Sequence, residues 1–254
     1  MVITSRQNPL VKDILALKEK KGRRAQGLYI AEGLKPVREA LASGAAVKKI
    51  IYSQEFSGAE ELLRTQPISG AEAVAVSAGV FEKLSEEASP QGVLALVSIP
   101  DCTPVQPQGS CLLLDGVSDP GNLGTIIRTA NAAGYCDIYL RNCADPFAPK
   151  CVRATMSGIF FVRLHIGEGV LQALGDTPLV CADMGGENVF LFSPPQKFCL
   201  VIGSEANGVS AEVRALCKYT VKIPMRHTCE SLNAGVSAGI LMYELQKKAG
   251  RVRV

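Results

Sequence analysis

The chain has 254 residues, 47% of them hydrophobic and 20% charged, which is enough apolar material for one large core or two modest ones. No apolar run reaches the roughly 18 residues of a membrane span, and the start, MVITSRQNPL, lacks the apolar centre of a signal peptide. The net charge of +3 excludes little, but residues 1–49 carry eleven Lys/Arg against four Asp/Glu, and residues 50–100 carry two against seven.

In chain order, Pro9 to Leu17 predicts a helix, with Pro9 in its first turn and Leu10, Ile14 and Leu17 along one side. The basic segment Lys18 to Arg24 follows, broken at Gly22. A strand between Gly27 and Gly33 leads to a helix over 35–42, a strand over 48–52, a helix over 59–64, a strand over 73–76, a helix over 78–84 and the apolar strand 92–98. This alternation describes a small α/β domain over 1–99. Three prolines in residues 100–109 mark an interdomain linker.

A second α/β domain, 110–254, opens with the buried strand Cys111 to Asp115. Strands over 136–140, 161–165, 178–182, 198–202 and 219–223 alternate with helices near 122–133, 148–156, 168–174 and 210–216, and a last helix runs from Ser231 to about Lys247. Strands that are apolar throughout imply a parallel sheet covered on both faces. Ala234, Gly235, Ala238 and Gly239 make a strip of tiny residues on the last helix.

Nine cysteines all fall after residue 101, none as C-x-x-C, and several sit in apolar runs such as Phe198 to Ile202. That pattern suits reduced, buried thiols in a cytoplasmic protein and argues against a disulfide framework or a metal site. The excess of basic residues near the start is the footprint expected for a phosphate-bearing partner, with a solvated helical face as the alternative. Arg6, Lys20, Lys21, Arg23 and Arg24, with Lys150 and Arg153 after Pro146, are the candidate contacts.

Three strand-end loops could carry chemistry. Asp115-Gly-Val-Ser-Asp-Pro-Gly-Asn-Leu-Gly-Thr-Ile-Ile-Arg128 joins a strand to a helix start, where free N–H groups meet polar ligands. It lacks G-x-G-x-x-G and the acid that would hold a dinucleotide ribose, which makes a nicotinamide-dependent oxidoreductase improbable. The second loop is Gly203 to Ser210, with Glu205 at its centre, and the third is Ile223 to Asn233. Loops leaving the carboxyl ends of parallel strands converge on one crevice. Together they present Asn122, Arg128, Glu205, Ser231 and Asn233, a set with no nucleophile–histidine pair and no paired carboxylates.

These residues resemble a known pattern. Asn122-x-Gly-x-x-x-Arg128, Gly203-x-Glu205-x-x-Gly208 and Ile223-Pro-Met…Glu230-Ser-Leu-Asn233 are similar to the three ordered motifs of the SpoU/TrmH-type RNA 2′-O-ribose methyltransferases of the SPOUT superfamily. Ile3 to Pro9, Tyr29 to Gly33 and Gln91 to Val97 resemble the RNA substrate-binding domain often fused ahead of it. The resemblance implies a deep C-terminal trefoil knot, S-adenosylmethionine as cofactor, a homodimer with the last helix and its glycine strip in the interface, and structured RNA, ribosomal rather than transfer RNA, as substrate. Gly203, Ile223, Met225 and Leu232 would hold the cofactor; Asn122, Arg128, Glu205, Ser231 and Asn233 would form the catalytic side. A guanidinium is a poor base, so Arg128 is expected to clamp phosphate or alkoxide. The chain departs from the motif at His227, where glycine is usual, and at Ala234-Gly235, where the pattern has valine and serine. The competing readings are a transfer-RNA methyltransferase and a non-catalytic RNA-binding protein that uses the knotted domain to dimerise.

Overall fold

A computed structural model describes residues 2–65 and 70–250. The chain forms two units, one of residues 1–100 with 145–160, the other of residues 101–144 with 161–254.

The first unit is built on a five-stranded sheet, in the order β1 (Val2–Ile3), β4 (Glu72–Val76), β3 (Val47–Ser53), β5 (Val93–Ser98), β2 (Leu28–Glu32). β5 lies antiparallel to both β2 and β3, and the other pairs are parallel. The continuous apolar run Val93 to Val97 takes an interior position because every one of its side chains is buried. Helices α1 (Pro9–Ala16), α2 (Lys20–Gln26), α3 (Leu34–Ala42), α4 (Ala59–Thr65) and α5 (Ala78–Leu84) connect the strands. Asn8 caps α1 by accepting from the Leu10 N–H at 2.9 Å, with Pro9 following as expected. Val11, Ile14 and Leu17 then pack with Ile30, Ile51, Phe81 and Leu94.

Gly22 does not break the basic segment; it lies inside α2. A Cβ there would stand 1.9 Å from the Ala16 carbonyl oxygen, so glycine is what lets α2 fold back onto the end of α1. Arg23, expected to contact RNA, is instead 3% exposed. Its guanidinium donates to the Leu17 and Lys18 carbonyls at 2.7 and 2.8 Å and pairs with Asp145 at 2.6 Å. It is a packed tie between two chain segments, with four of its five N–H donors committed and the side chain shut off from solvent. The segment 145–160, with α7 (Pro149–Ala154), belongs to this unit, and Phe147 sets its ring 5.1 Å from Tyr29.

The second unit has a six-stranded, all-parallel sheet in the order β11 (Tyr219–Lys222), β9 (Leu179–Asn188), β10 (Cys199–Gly203), β6 (Cys111–Asp115), β7 (Asp137–Arg141), β8 (Arg163–Ile166). From β6 the chain builds outward to β7 and β8, then returns to the other side for β9, β10 and β11. The strand order therefore reverses between β6 and β10, where neighbouring loops part and leave a crevice. Helices α6 (Pro120–Ala132), α8 (Val170–Ala173), α9 (Ala211–Leu216) and α10 (Ala234–Lys248) complete the unit.

Three details differ from expectation. The proline-rich segment before β6 is held along its length: Tyr139 Oη donates to the Val105 carbonyl at 2.6 Å, Lys197 Nζ to the Pro107 carbonyl at 2.7 Å, and the Ile166 N–H to the Cys102 carbonyl at 2.8 Å. β9 runs six residues past its apolar part because its polar end pairs with β11, and a Cβ on Gly186 would come within 2.5 Å of the Val221 nitrogen. α10 starts at Ala234, three residues later than expected, because Asn233 is its cap.

Candidate functional site

The site forms where the loops after β6, β10 and β11 meet. After β6, Asp119 caps α6 by accepting the Asn122 N–H at 2.8 Å, with Pro120 in the first turn. The Asn122 backbone is thereby satisfied, and its side-chain amide is free to reach across the crevice.

After β10, the backbone folds into a tight hairpin. Ser204 and Gly208 exchange backbone hydrogen bonds at 3.0 and 2.9 Å, and a Cβ on Gly203 would lie 2.1 Å from the Gly208 carbonyl carbon. Only glycine permits that approach, and it places Glu205 at the hairpin tip.

Asn233, at the end of the third loop, has its Oδ1 occupied by the N–H groups of Gly235 and Val236 at 2.9 and 3.2 Å. Its Nδ2 then donates to Asn122 Oδ1 at 2.8 Å, and Asn122 Nδ2 donates to Glu205 Oε1 at 2.6 Å. The helix-start donors accordingly set the orientation of both amides, because each group has only one way left to bond. A directed chain Asn233–Asn122–Glu205 joins all three loops.

Behind this chain lies a cavity of about 230 Å³. Gly203, Ile223, Met225, Leu232, Glu205 and Ser231 all line it, together with Asp183, Met184, Ser237 and Leu241. Asn122, Asn233 and Arg128 are outside the lining. Arg128, two turns into α6, is exposed and makes no hydrogen bond or ion pair among the described residues. His227 is exposed on the loop between β11 and α10.

One supporting group was not singled out from sequence. Asp115, the last residue of β6, is 3% exposed and accepts from Arg141 Nη1 at 2.8 Å and from the Ser210 N–H at 2.8 Å. Arg141 also reaches Ser210 Oγ at 3.3 Å and pairs with Glu212. Burial opposes ionisation of Asp115, yet the hydrogen bonds from Ser210 and Arg141 outweigh it and hold the carboxyl below its ordinary range. Because Ser210 caps α9, this latch pins the far end of the Glu205 hairpin to the strand that launches Asn122. The available signal was a charge closing an otherwise fully apolar strand. Asp183 at the cavity wall is held below its ordinary range by hydrogen bonds from Arg214 and the Gly185 N–H.

The glycine strip of α10 faces inward. A Cβ on Gly235 would meet Thr125 Cγ2 at 3.0 Å and one on Gly239 would meet Thr129 Cγ2 at 3.6 Å, so the strip seats α10 against α6 of the same chain. Val236 and Tyr243 are the exposed apolar residues of this helix. In the first unit, Lys20, Lys21, Arg24, Lys150 and Arg153 are exposed, and Arg6 donates to the Gly79 carbonyl at 3.3 Å. Among the described residues no cluster of His, Cys, Asp or Glu has the arrangement of a metal site.

An open parallel sheet with three converging strand-end loops and a closed polar chain defines a crevice-type α/β binding site. The description "SpoU rRNA Methylase family" matches residues 109–243, and "MRM3-like substrate binding domain" matches residues 8–95. The chain belongs to the SpoU rRNA methylase family and carries that substrate-binding domain ahead of the methylase domain. It is 32% identical to the 23S rRNA (guanosine(2553)-2′-O)-methyltransferase RlmP of Bacillus subtilis, over 96% of this chain and 98% of that protein. Among solved structures, it is similar to the AdoMet-bound rRNA methyltransferase from Sinorhizobium meliloti, at 31% identity over 97% of both chains with a TM-score of 0.86. The SpoU methyltransferase AviRb from Streptomyces viridochromogenes, solved with the cofactor AdoMet, is 30% identical over 97% of this chain and 100% of its own, with a TM-score of 0.84.

Proposed function

We propose that the protein is an S-adenosylmethionine-dependent methyltransferase that modifies a ribose 2′-OH of ribosomal RNA. The observation that carries this reading is the Asn233–Asn122–Glu205 chain, whose Glu205 end lines the 230 Å³ cavity. Relatives named as 23S rRNA 2′-O-methyltransferases and AdoMet-bound neighbours support it.

The cavity suits the cofactor. Ile202, Ile223, Met225, Leu232 and Leu241 offer apolar walls, and the Gly203–Gly208 contact keeps clear a space that a side chain would fill. When bound, S-adenosylmethionine supplies a methyl group carried on a sulfonium. The chain's part is to align the ribose oxygen with that methyl and to manage its proton, so positioning contributes much of the rate. Asn122 holds Glu205 by one carboxylate oxygen, leaving the other to face the ribose or an ordered water as proton acceptor. Arg128, exposed and without a protein partner among the described residues, holds the RNA phosphate or the developing alkoxide. Exposed Lys20, Lys21, Arg24, Lys150 and Arg153 supply further phosphate contacts.

The reading includes the family's trefoil knot in the C-terminal unit and a homodimer. The exposed Val236 and Tyr243 on α10 support a second copy covering that helix. Free cysteines support residence in the cytoplasm, and no described helix is long and apolar enough to cross a membrane.

The test is transfer of labelled methyl from S-adenosylmethionine to unmodified 23S rRNA, followed by mapping of the alkali-resistant linkage. Label on a ribose 2′-oxygen is the expected result. Absence of cofactor binding by calorimetry would overturn the reading, and label recovered only on transfer RNA would redirect it to the other substrate.

A further inference from the structure

Building on that reading, we propose that the first unit takes one unpaired nucleotide of the substrate RNA into a cleft at the start of α3, the base on Phe56 and the phosphate on Lys35 and Arg38. The cleft is open to solvent and holds about 640 Å³ between α3, the turn after β3 and Gln91, two residues before β5. None of its residues is among the basic positions expected to contact RNA.

Three glycines and a glutamine shape it. Gly33 and Gly92 adopt φ of +103° and +83°, a conformation that other residues resist. A Cβ on Gly92 would stand 3.1 Å from Phe56 Cβ, and one on Gly58 would stand 2.7 Å from the ring's Cζ. The Phe56 ring is thus seated over positions that lack side chains, and it is half-buried in the cleft wall. Gln91 Oε1 accepts the Leu34 N–H at 2.8 Å, which commits its oxygen and leaves its Nε2 to donate. This accounts for the Tyr29–Gly33 and Gln91–Val97 motifs, which the methyl-transfer site does not use.

Arg38 carries the independent signal. Its Nη2 donates to Glu61 at 2.9 Å, but its Nε is buried and has no hydrogen-bond partner. The ion pair with Glu61 holds the 40% exposed Arg38 side chain in the cleft wall, where its accessible N–H groups can meet a ligand oxygen. An aromatic face, two cations, an amide donor and the Glu55 carboxylate together fit a nucleotide. A bare phosphate would leave the ring idle, and with Glu39 and Glu55 balancing Lys35 and Arg38 the cleft suits a single anionic group beside an aromatic base better than an acidic peptide.

The experiment uses the full chain and an unmodified 23S rRNA transcript. It reads RNA affinity by filter binding, the RNA KM in methyl transfer, and S-adenosylmethionine affinity by calorimetry as the folding control. Phe56→Leu, which keeps bulk but removes the stacking face, should weaken RNA binding and raise the RNA KM about tenfold, leaving cofactor affinity unchanged. Phe56→Tyr should restore both. Lys35→Gln, an exposed change that folding tolerates, should reduce the salt dependence of binding by about one counterion. Unchanged RNA affinity in Phe56→Leu and Lys35→Gln would overturn the proposal. So would an equal loss in Phe56→Tyr, or mononucleotides binding the wild-type cleft without competing with the transcript. A transcript that binds through Phe56 but receives no methyl group would sink the methyltransferase reading and leave this one standing. Full methyl transfer with wild-type RNA KM in Phe56→Leu would do the reverse.

Discussion

The two units hold their polar residues in different ways. In the second unit, the site side chains are tied to one another and to helix-start backbone, so that Asn233, Asn122 and Glu205 have one bonding pattern between them. In the first unit, basic residues lie on short helices where one step along the chain separates burial from solvent. Arg23 is 3% exposed and locked to Asp145, while its neighbour Arg24 is exposed. Covalent topology brings strand-end loops together almost regardless of detail, whereas helix phase alone decides which of two adjacent arginines meets solvent.

Five substitutions and one titration test this contrast. Gly203→Ala should have the largest effect, because its Cβ would overlap the Gly208 backbone at 2.1 Å. A loss above about 4 kcal/mol or an unfolded second unit is expected, read as a collapse in thermal stability and no cofactor binding heat. Next comes Arg23→Ala, which leaves the partly buried Asp145 carboxylate and the Leu17 and Lys18 carbonyls without their donor and should destabilise by about 3 kcal/mol in denaturant melts. If Arg23→Ala reduced RNA affinity at unchanged stability, the distinction between the two arginines would collapse.

Asn122→Ala removes both bonds of the polar chain while leaving the α6 cap intact. Methyl transfer at saturating RNA should fall about 10²-fold, with cofactor affinity within a few-fold of wild type. A fall in cofactor affinity alone would show the chain to be a wall of the cavity and nothing more.

The Asp115 latch has a pH signature. Its folded carboxyl is held below the ordinary range, so its stabilisation is fully present above the unfolded value near pH 3.9 and is lost as pH falls through the folded one. Asp137 shifts the same way: burial opposes its charge, and hydrogen bonds from Arg163 and His165 outweigh that. The Tm should therefore drop steeply below about pH 4. Asp115→Asn should lower stability at pH 7 by about 1–3 kcal/mol and blunt that acid limb. An unchanged acid limb would separate the latch from the hairpin it is argued to hold. The smallest effect belongs to Arg24→Gln, which should leave Tm unchanged and reduce the salt slope of RNA binding by about one.

Much of the second unit was legible from the chain alone. β6 and β10 are five-residue strands, apolar up to their last residue, and polar loops follow them directly, so sheet type and the identity of the loop residues follow from local pattern. Asp115 escaped notice because nothing local distinguishes a buried acid that closes a strand from one that starts a solvated turn. Gly22 was misread for a similar reason: a glycine that ends a helix and one that lets two helices touch look alike until the second helix is in place.

By itself, then, the sequence determined the two α/β units, the order of their elements and the polar residues of the three loops that meet at the crevice, because hydrophobic period and turn chemistry act within a few residues. Only the tertiary structure decided the rest. It decided that Arg23 serves packing, that residues 145–160 join the first unit, that the α10 glycines face Thr125 and Thr129, and that Phe56 and Arg38 share a cleft. Each of these depends on which surfaces meet across long sequence separations, and burial and hydrogen-bond satisfaction settle that for the whole chain at once.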